Sequence, residues 1–289
     1  MTTNKTWLIT GSAHGLGLNI ARAALEAGHN VVATARKPDQ LQPLVEAFSD
    51  RVKPFQLDVS DETQAKAAVD FAIESFGRLD VLVNNAGFGH FAPFEQADPG
   101  IFRAQIETNF FGVVYLMRAA LPLMRGQRAG HIFNISSMGG RLTIPGMAAY
   151  HASKWAVSGF SEAVASEVRE FGINCVAIEP GGMRTEWAQI AGGSAPELME
   201  DYAPGMQKLE EMLRAVAGNE VGDPDRIAAV LVDLSTRADL PAHLLLGSDA
   251  FELVTSTTEN RLKVDAEWEA VSRSTDFADA DLSFLERLQ

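Results

Sequence analysis

The sequence predicts one α/β domain: a doubly wound, seven-stranded, mainly parallel sheet with helices on both faces. Three observations point there. Short β-branched runs alternate with longer helical patterns through the first two thirds of the chain, the pattern of successive βαβ units. The strand runs are nearly continuous in apolar residues, as expected for strands covered on both faces. The first of them runs straight into a glycine-rich turn, TGSAHGLG at residues 10–17.

In chain order, strands are predicted at 6–10, 30–35, 52–57, 79–84, 131–135 and 173–179, with a seventh at 243–246. Helices are predicted between them at 16–27, 41–48, 62–76, 99–124 and 149–171, and Asp61 with Gln64 resembles a capping box opening the third. After Pro180 the pattern loosens into a Gly-, Pro- and Ala-rich stretch that leads to a helix at 206–216; residues 183–220 read as a substrate-loop or lid insertion. Asp223 and Pro224 supply an N-cap and a first helical residue for a helix at 225–235. From Asp265 onward seven acidic residues face two basic ones, so residues 249–289 read as a solvated, acidic, helical extension. No internal repeat or low-complexity linker divides the chain, and residues 1–289 are treated as one domain.

Composition bounds the function. The 289 residues are 46% hydrophobic and 21% charged, which supports a sizeable core. With 38 acidic against 24 basic residues the formal charge is −14, a field that repels phosphate backbones and anionic lipid surfaces. Neither nucleic acid nor membrane is expected as a partner. The most apolar window, residues 110–124, is interrupted by Gly112, Arg118 and Pro122 and falls short of a membrane span. No export signal is read in MTTNKTWLITGSAHG. The single cysteine, Cys175, forms no intrachain disulfide, and the six histidines show no ligand-type pairing. No metal site and a reducing, cytoplasmic setting are therefore expected.

A glycine-rich turn between a strand and a helix permits a tight bend and close approach of a pyrophosphate to the backbone, while the helix N-terminus offers free N–H groups. Here the glycines are Gly11, Gly15 and Gly17, a G-x-x-x-G-x-G spacing preceded by Thr10. That spacing resembles the short-chain dehydrogenase/reductase family, and further motifs follow in the family's order. Asp58 and Val59 come after the third strand, NNAG at residues 84–87 ends the fourth, and Asn109 lies in the next helix. Ser137 follows the fifth strand, Tyr150 and Lys154 stand in YHASK, and Pro180-Gly181 with Thr185 follows the sixth. The resemblance covers residues 6–185 motif by motif.

The resemblance implies a Rossmann fold and a nicotinamide cofactor held by Gly11, Ser12, His14, Gly15, Leu16, Gly17, Arg36, Asp58, Val59, Asn85, Ala86, Gly87, Tyr150, Lys154, Pro180, Gly181, Met183 and Thr185. At the end of the second strand stands Arg36, followed by Lys37, with no acidic residue beside them. A ribose 2′-hydroxyl is best met by Asp or Glu and a 2′-phosphate by a cation. Arg36, assisted by Lys37 or Ser12, therefore argues for NADP(H) over NAD(H).

The resemblance also implies a catalytic set of Asn109, Ser137, Tyr150 and Lys154. Tyr150 and Lys154, at i and i+4, project from one helix face. A tyrosine is a poor acid/base at neutral pH, and a neighbouring ammonium is expected to lower its pKa. Ser137 is expected to donate to the substrate oxygen and Asn109 to hold a water that links Lys154 to solvent. The expected reaction is NADP(H)-dependent interconversion of a secondary alcohol and a ketone, with a small carbonyl or alcohol compound as partner. A cofactor-binding regulator without turnover is the alternative, and a broken tetrad would mark it. A dehalogenase-like relative needs a blocked glycine turn and Arg for the Lys, and neither change occurs. Phe88, Arg141, Met147 and Trp187 are candidate lining of an apolar substrate pocket. The family resemblance implies a homodimer or homotetramer, with the acidic extension able to cover one assembly face.

Overall fold

Seven strands, β1 (Thr6–Ile9), β2 (Asn30–Ala35), β3 (Val52–Gln56), β4 (Val81–Asn84), β5 (Gly130–Ile135), β6 (Ile173–Pro180) and β7 (His243–Leu246), form one sheet in the order β3-β2-β1-β4-β5-β6-β7. The computed structural model describes residues 4–185 and 196–284. Every strand pairing is parallel, from Val31 opposite Val52 at one edge to Ile178 opposite Leu244 at the other. The chain winds outward from β1 to β3, then returns to place β4 on the other side of β1. That reversal opens a crevice at the carboxyl ends of β1 and β4, where sheets of this kind bind ligands.

Helices α1 (Gly15–Glu26), α2 (Gln42–Phe48), α3 (Glu62–Phe76), α4 (Pro99–Ile106), α5 (Gly112–Gln127) and α6 (Ala148–Val168) fill the crossovers, followed by α7 (Ala203–Val216), α8 (Pro224–Leu234), α9 (Ser248–Glu267) and α10 (Glu269–Arg273). Alternation along β1 sends Trp7 and Ile9 to one face and Leu8 to the other. Trp7 and Ile9 join Ile20, Leu25 and Phe133 beneath α1, α2 and α8. Leu8 joins Leu82, Leu116, Met117 and Val157 beneath α3, α5 and α6. No helix among the described residues is long and apolar enough to cross a membrane.

Local chemistry explains the boundaries. Asp61 Oδ1 accepts from Thr63 N and Gln64 N, capping α3. Gln64, however, does not return its oxygen to Asp61 N; Gln64 Oε1 accepts from Asp58 N instead, so the cap ties α3 to the loop after β3. The predicted helix at 99–124 is divided by a π-helical turn at Glu107–Phe111. The α-helix of the acidic extension ends at Arg273 among the described residues. There Ser274 and Thr275 turn their hydroxyls back onto the carbonyls of Val271 and Ser272, a bonding pattern that competes with helix propagation.

The seating of α1 on the sheet depends on Gly17, where a Cβ would overlap the carbonyl oxygen of Gly11 and Asn85 Nδ2. Gly159, on the exposed side of α6, has nothing within 4 Å of its Cβ position. Gly17→Ala is therefore expected to cost about 3 kcal/mol or more, through forced separation of helix and turn. Gly159→Ala is expected to gain about 0.5 to 1 kcal/mol from helix propensity. Urea unfolding of the two variants checks the opposite signs.

Candidate active site

The glycine turn is anchored through Thr10. Its Oγ1 accepts from Asn85 N and Ala86 N, both at 2.9 Å, and Asn85 Nδ2 donates to the carbonyls of Thr10 (2.9 Å) and Gly11 (3.2 Å). The motif at the end of β4 thus fixes the turn at the end of β1. Gly11 takes φ +66°, in the left-handed region that disfavours side chains. His14, the N-cap of α1, makes no side-chain cap, which leaves the first helical amides for an anion. The space over Gly15 opens toward Thr185, whose Cβ lies 3.9 Å from the Cβ position of the glycine. Leu16 is buried in the core beside this turn.

Two cofactor expectations change in detail. Ser12 is fully buried, and its hydroxyl donates to Ile9 O at 2.8 Å, so the side chain is sealed inside the turn and is not offered to a 2′-phosphate. Asp58 Oδ1 accepts from Ser60 N (3.0 Å) and Ser60 Oγ (2.7 Å), which organises the loop before α3. Val59 packs beneath it, against the start of α5 at Gly112. Arg36 and Lys37, just past β2, are exposed, and among the described residues neither has an acidic partner.

Ser137, Tyr150 and Lys154 come together where β5 meets α6. Ser137 Oγ accepts from Gly139 N at 3.0 Å and is also hydrogen-bonded to the Tyr150 phenol. Lys154 Nζ lies 5.8 Å from the centre of the Tyr150 ring and donates to Ile135 O at 2.7 Å. Burial dominates both titrations. It raises the pKa of Tyr150 against the opposing bond from Ser137, and it lowers Lys154 to about 8. The expected lowering of Tyr150 is not seen: its pKa is raised, because desolvation outweighs the hydrogen bond with Ser137.

Asn109 sits in the π-helical turn, which rotates it toward α6. Its Oδ1 accepts from Phe88 N (3.0 Å), and its Nδ2 donates to Phe88 O (2.9 Å) and Ser153 Oγ (3.0 Å). Gly87 lies against both Asn109 and Lys154, its Cβ position 3.1 Å from Asn109 Oδ1 and 3.7 Å from Lys154 Nζ. The NNAG motif therefore touches the glycine turn at one end and α6 at the other.

Several supporting residues are visible only in three dimensions. Glu179, 0% exposed near the end of β6, accepts from Ser158 Oγ (2.9 Å) and Arg141 Nη1 (3.2 Å) and bonds His243 Nδ1 (2.9 Å). These bonds join β6, α6, the loop after Ser137 and β7. The pair with Glu179 draws Arg141 away from the pocket lining predicted for it. The signal was an acid inside an otherwise apolar strand, VAIEP, which demands partners when buried. His151 Nδ1 bonds Gly139 O (2.8 Å) and its Nε2 accepts from Ile144 N (3.0 Å), stapling the Ser137 loop to α6.

After Pro180, Gly181 N donates to Leu246 O and Gly182 N to Asp249 Oδ2 at 2.8 Å, so α9 holds the turn. Met183 bridges to Gly222, and Thr185 N donates to Met183 O. Tyr150 is packed among Phe91, Met147 and Met206, the last from α7. Phe88 is half-buried and fixed through its backbone by Asn109. Trp187 lies outside the described residues.

Comparison with known proteins agrees with this geometry. The family profile described as "short chain dehydrogenase" matches residues 5–192. "Oxidoreductase BOA17" of Botryotinia fuckeliana (strain B05.10) is 45% identical over 93% of this chain and 98% of that protein. The crystal structure of a short-chain dehydrogenase from Streptomyces avermitilis superposes with a TM-score of 0.86 at 37% identity, covering 95% of this chain and 100% of that one. A metagenomic short-chain oxidoreductase in complex with NADP gives a TM-score of 0.66 at 28% identity, with coverage of 84% and 96%. Read with the seven-stranded parallel sheet and the site at its carboxyl edge, these likenesses make the chain an oxidoreductase that belongs to the short-chain dehydrogenase family.

Proposed function

We propose that the protein is an NADP(H)-dependent oxidoreductase that interconverts a ketone and a secondary alcohol, with Tyr150 as acid/base. The observation that carries this reading is the hydrogen-bonded Ser137–Tyr150 pair, with the buried ammonium of Lys154 one helical turn away. The turn at Gly11, Gly15 and Gly17 fits a dinucleotide, since it leaves bare backbone and uncapped helix amides beside Thr185. A bound nicotinamide supplies or accepts the hydride.

The chain's own groups handle the proton. Ser137 Oγ and Tyr150 Oη converge on one position, where a carbonyl oxygen is met by two hydroxyls. Burial raises the pKa of Tyr150, so the phenol is protonated at neutral pH and serves as the acid for reduction; oxidation gains as pH rises and the phenolate forms. Lys154 supplies a donor beside Tyr150. Asn109 fixes α6 through Ser153, one residue before Lys154. Arg36 and Lys37 present exposed positive charge at the end of β2 with no acid beside them, which favours a 2′-phosphate. The solved metagenomic relative with NADP supports the same choice.

Tyr150→Phe is expected to lower turnover about a hundred- to ten-thousandfold while leaving NADPH affinity nearly unchanged, read by NADPH oxidation against ketones, aldehydes and quinones beside calorimetric binding. Wild-type protein that binds NADPH yet turns over none of them would favour a cofactor-binding regulator. Arg36→Asp is expected to weaken NADPH binding by about tenfold or more and to spare NADH; equal losses for both would remove the 2′-phosphate role.

Lys154 carries a linkage prediction. Its folded pKa is about 8 against an ordinary 10.5. Between those values the unfolded chain holds a proton that the folded chain has released, so stability rises with pH through that window and the burial cost is greatest below about 8. Lys154→Met is expected to be more stable than wild type at neutral pH by about 1 to 3 kcal/mol and inactive. Denaturant titrations at pH 7 and pH 10 check that the gap narrows at the higher pH.

A further inference from the structure

We propose that the site takes an uncharged ketone, or the matching alcohol, that carries an extended apolar chain or ring, and that it rejects compounds with a carboxylate or phosphate on that arm. The proposal rests on the carbonyl-interconverting reading above and deepens it by naming the substrate class.

The wall beside the proton donor is apolar and built from three separate segments. Phe91 (8% exposed), Met147 (6%) and Met206 (5%) enclose Tyr150, with Ile144, Leu198 and Leu209 packed behind them. Met206 is brought to this wall by α7. Its Cε lies 2.5 Å from the Cβ position of Gly146, and the Phe91 ring edge lies 2.9 Å from it, so the thioether fills the notch that a side chain at 146 would occupy. Methionine has an unbranched, polarizable side chain that repacks at small cost. The apolar arm of a substrate takes that place when Met206 swings aside.

Charge placement gives the second, independent observation. In the described parts of the segments that frame Tyr150, residues 87–95, 139–147, 183–185 and 196–206, the cations are Arg141 and Arg184, beside His90. Arg141 is drawn inward onto Glu179, and Arg184 Nε donates to Glu220 O at 3.0 Å. Lys154, deeper in the site, is engaged by Ile135 O. Against them stand Glu95, Glu197, Glu200 and Asp201, with Glu95 Oε2 accepting from the Tyr202 hydroxyl at 2.8 Å on the rim of the apolar wall. A carboxylate on the substrate arm would lose its water against methionines and a phenylalanine, and the described residues that form this wall include no cation to meet it; burial of an unpaired charge is strongly unfavourable.

The test uses a matched pair, 2-nonanone and 8-oxononanoate, which share a methyl ketone and chain length and differ only at the far end, methyl against carboxylate. Calorimetric binding to the NADP+-loaded protein is expected to favour 2-nonanone by about a hundredfold. Met206→Glu is expected to weaken 2-nonanone by about tenfold or more, and Met206→Leu to keep it within about threefold. Equal or tighter binding of 8-oxononanoate, no binding of 2-nonanone, or an unchanged affinity in Met206→Glu would overturn the proposal. NADPH oxidation with the same pair separates the two readings. Discrimination in binding without reduction of 2-nonanone sinks the carbonyl chemistry and leaves the substrate class standing, whereas preferred reduction of the keto acid sinks the class and leaves the chemistry.

Discussion

A buried ammonium at the carboxyl edge of β5 organises this molecule. Lys154 is only 6% exposed, and its charge is met by the carbonyl of Ile135. Such a group is tolerated only where strand, helix and loop all hold their places, since displacement leaves a cation without a partner in low dielectric. The neighbouring bonds enforce that placement. Ser136 Oγ donates to the carbonyl of Lys154 and lies 2.8 Å from Ser158 Oγ, while Glu179 accepts from Ser158 and Arg141. The groups around Lys154 thus form one polar network, running from β5 through α6 to β6 and β7.

This network explains why the site and the sheet cannot be separated energetically. Asn134, on β5, accepts from Asn84 on β4 and donates to Ser161 on α6, carrying the connection to the strand that ends in NNAG. From there Asn85 and Ala86 reach Thr10, and Gly87 abuts Asn109 and Lys154. The hydrogen bonds among these satisfy polar groups whose burial would otherwise be costly. The crevice made by the strand reversal is therefore lined by groups that also hold β1, β4 and β5 together.

The sheet was legible in the sequence because its signals are local. Apolar runs bounded by glycine, proline and asparagine place β2 and β7 at the predicted residues, and α3 is fixed at both ends by the Asp61 cap and left-handed Gly77. The glycine turn and the serine, tyrosine and lysine were legible for the same reason: each falls at a strand end or on one helix face. The π-helical turn was not, since ETNFF contains no breaker and the extra residue is accommodated only because Asn109 finds Phe88 and Ser153 across the gap. Glu179 and Asp249 escaped because their partners are remote in sequence. The direction of the Tyr150 shift was misjudged because composition and spacing carry no information on how far a site is desolvated.

Asp249 shows how the C-terminal extension bears on the chemistry. Its Oδ2 accepts from Gly182 N, and the Cβ positions of Gly181 and Gly247 are both occupied by its carboxyl group. Two glycines on different segments thus leave room for one carboxylate, which joins the first turn of α9 to the backbone just after Pro180. Beyond that turn α9 is largely solvent-exposed, with only Ala250 and Val254 buried along its length. The base of the extension is consequently tied to the segment that follows β6, and the outer turns of α9 lie off the core. A change near residue 249 acts on the strand of chain leading to Thr185 and Gly15, while changes beyond Val254 act on solvated surface.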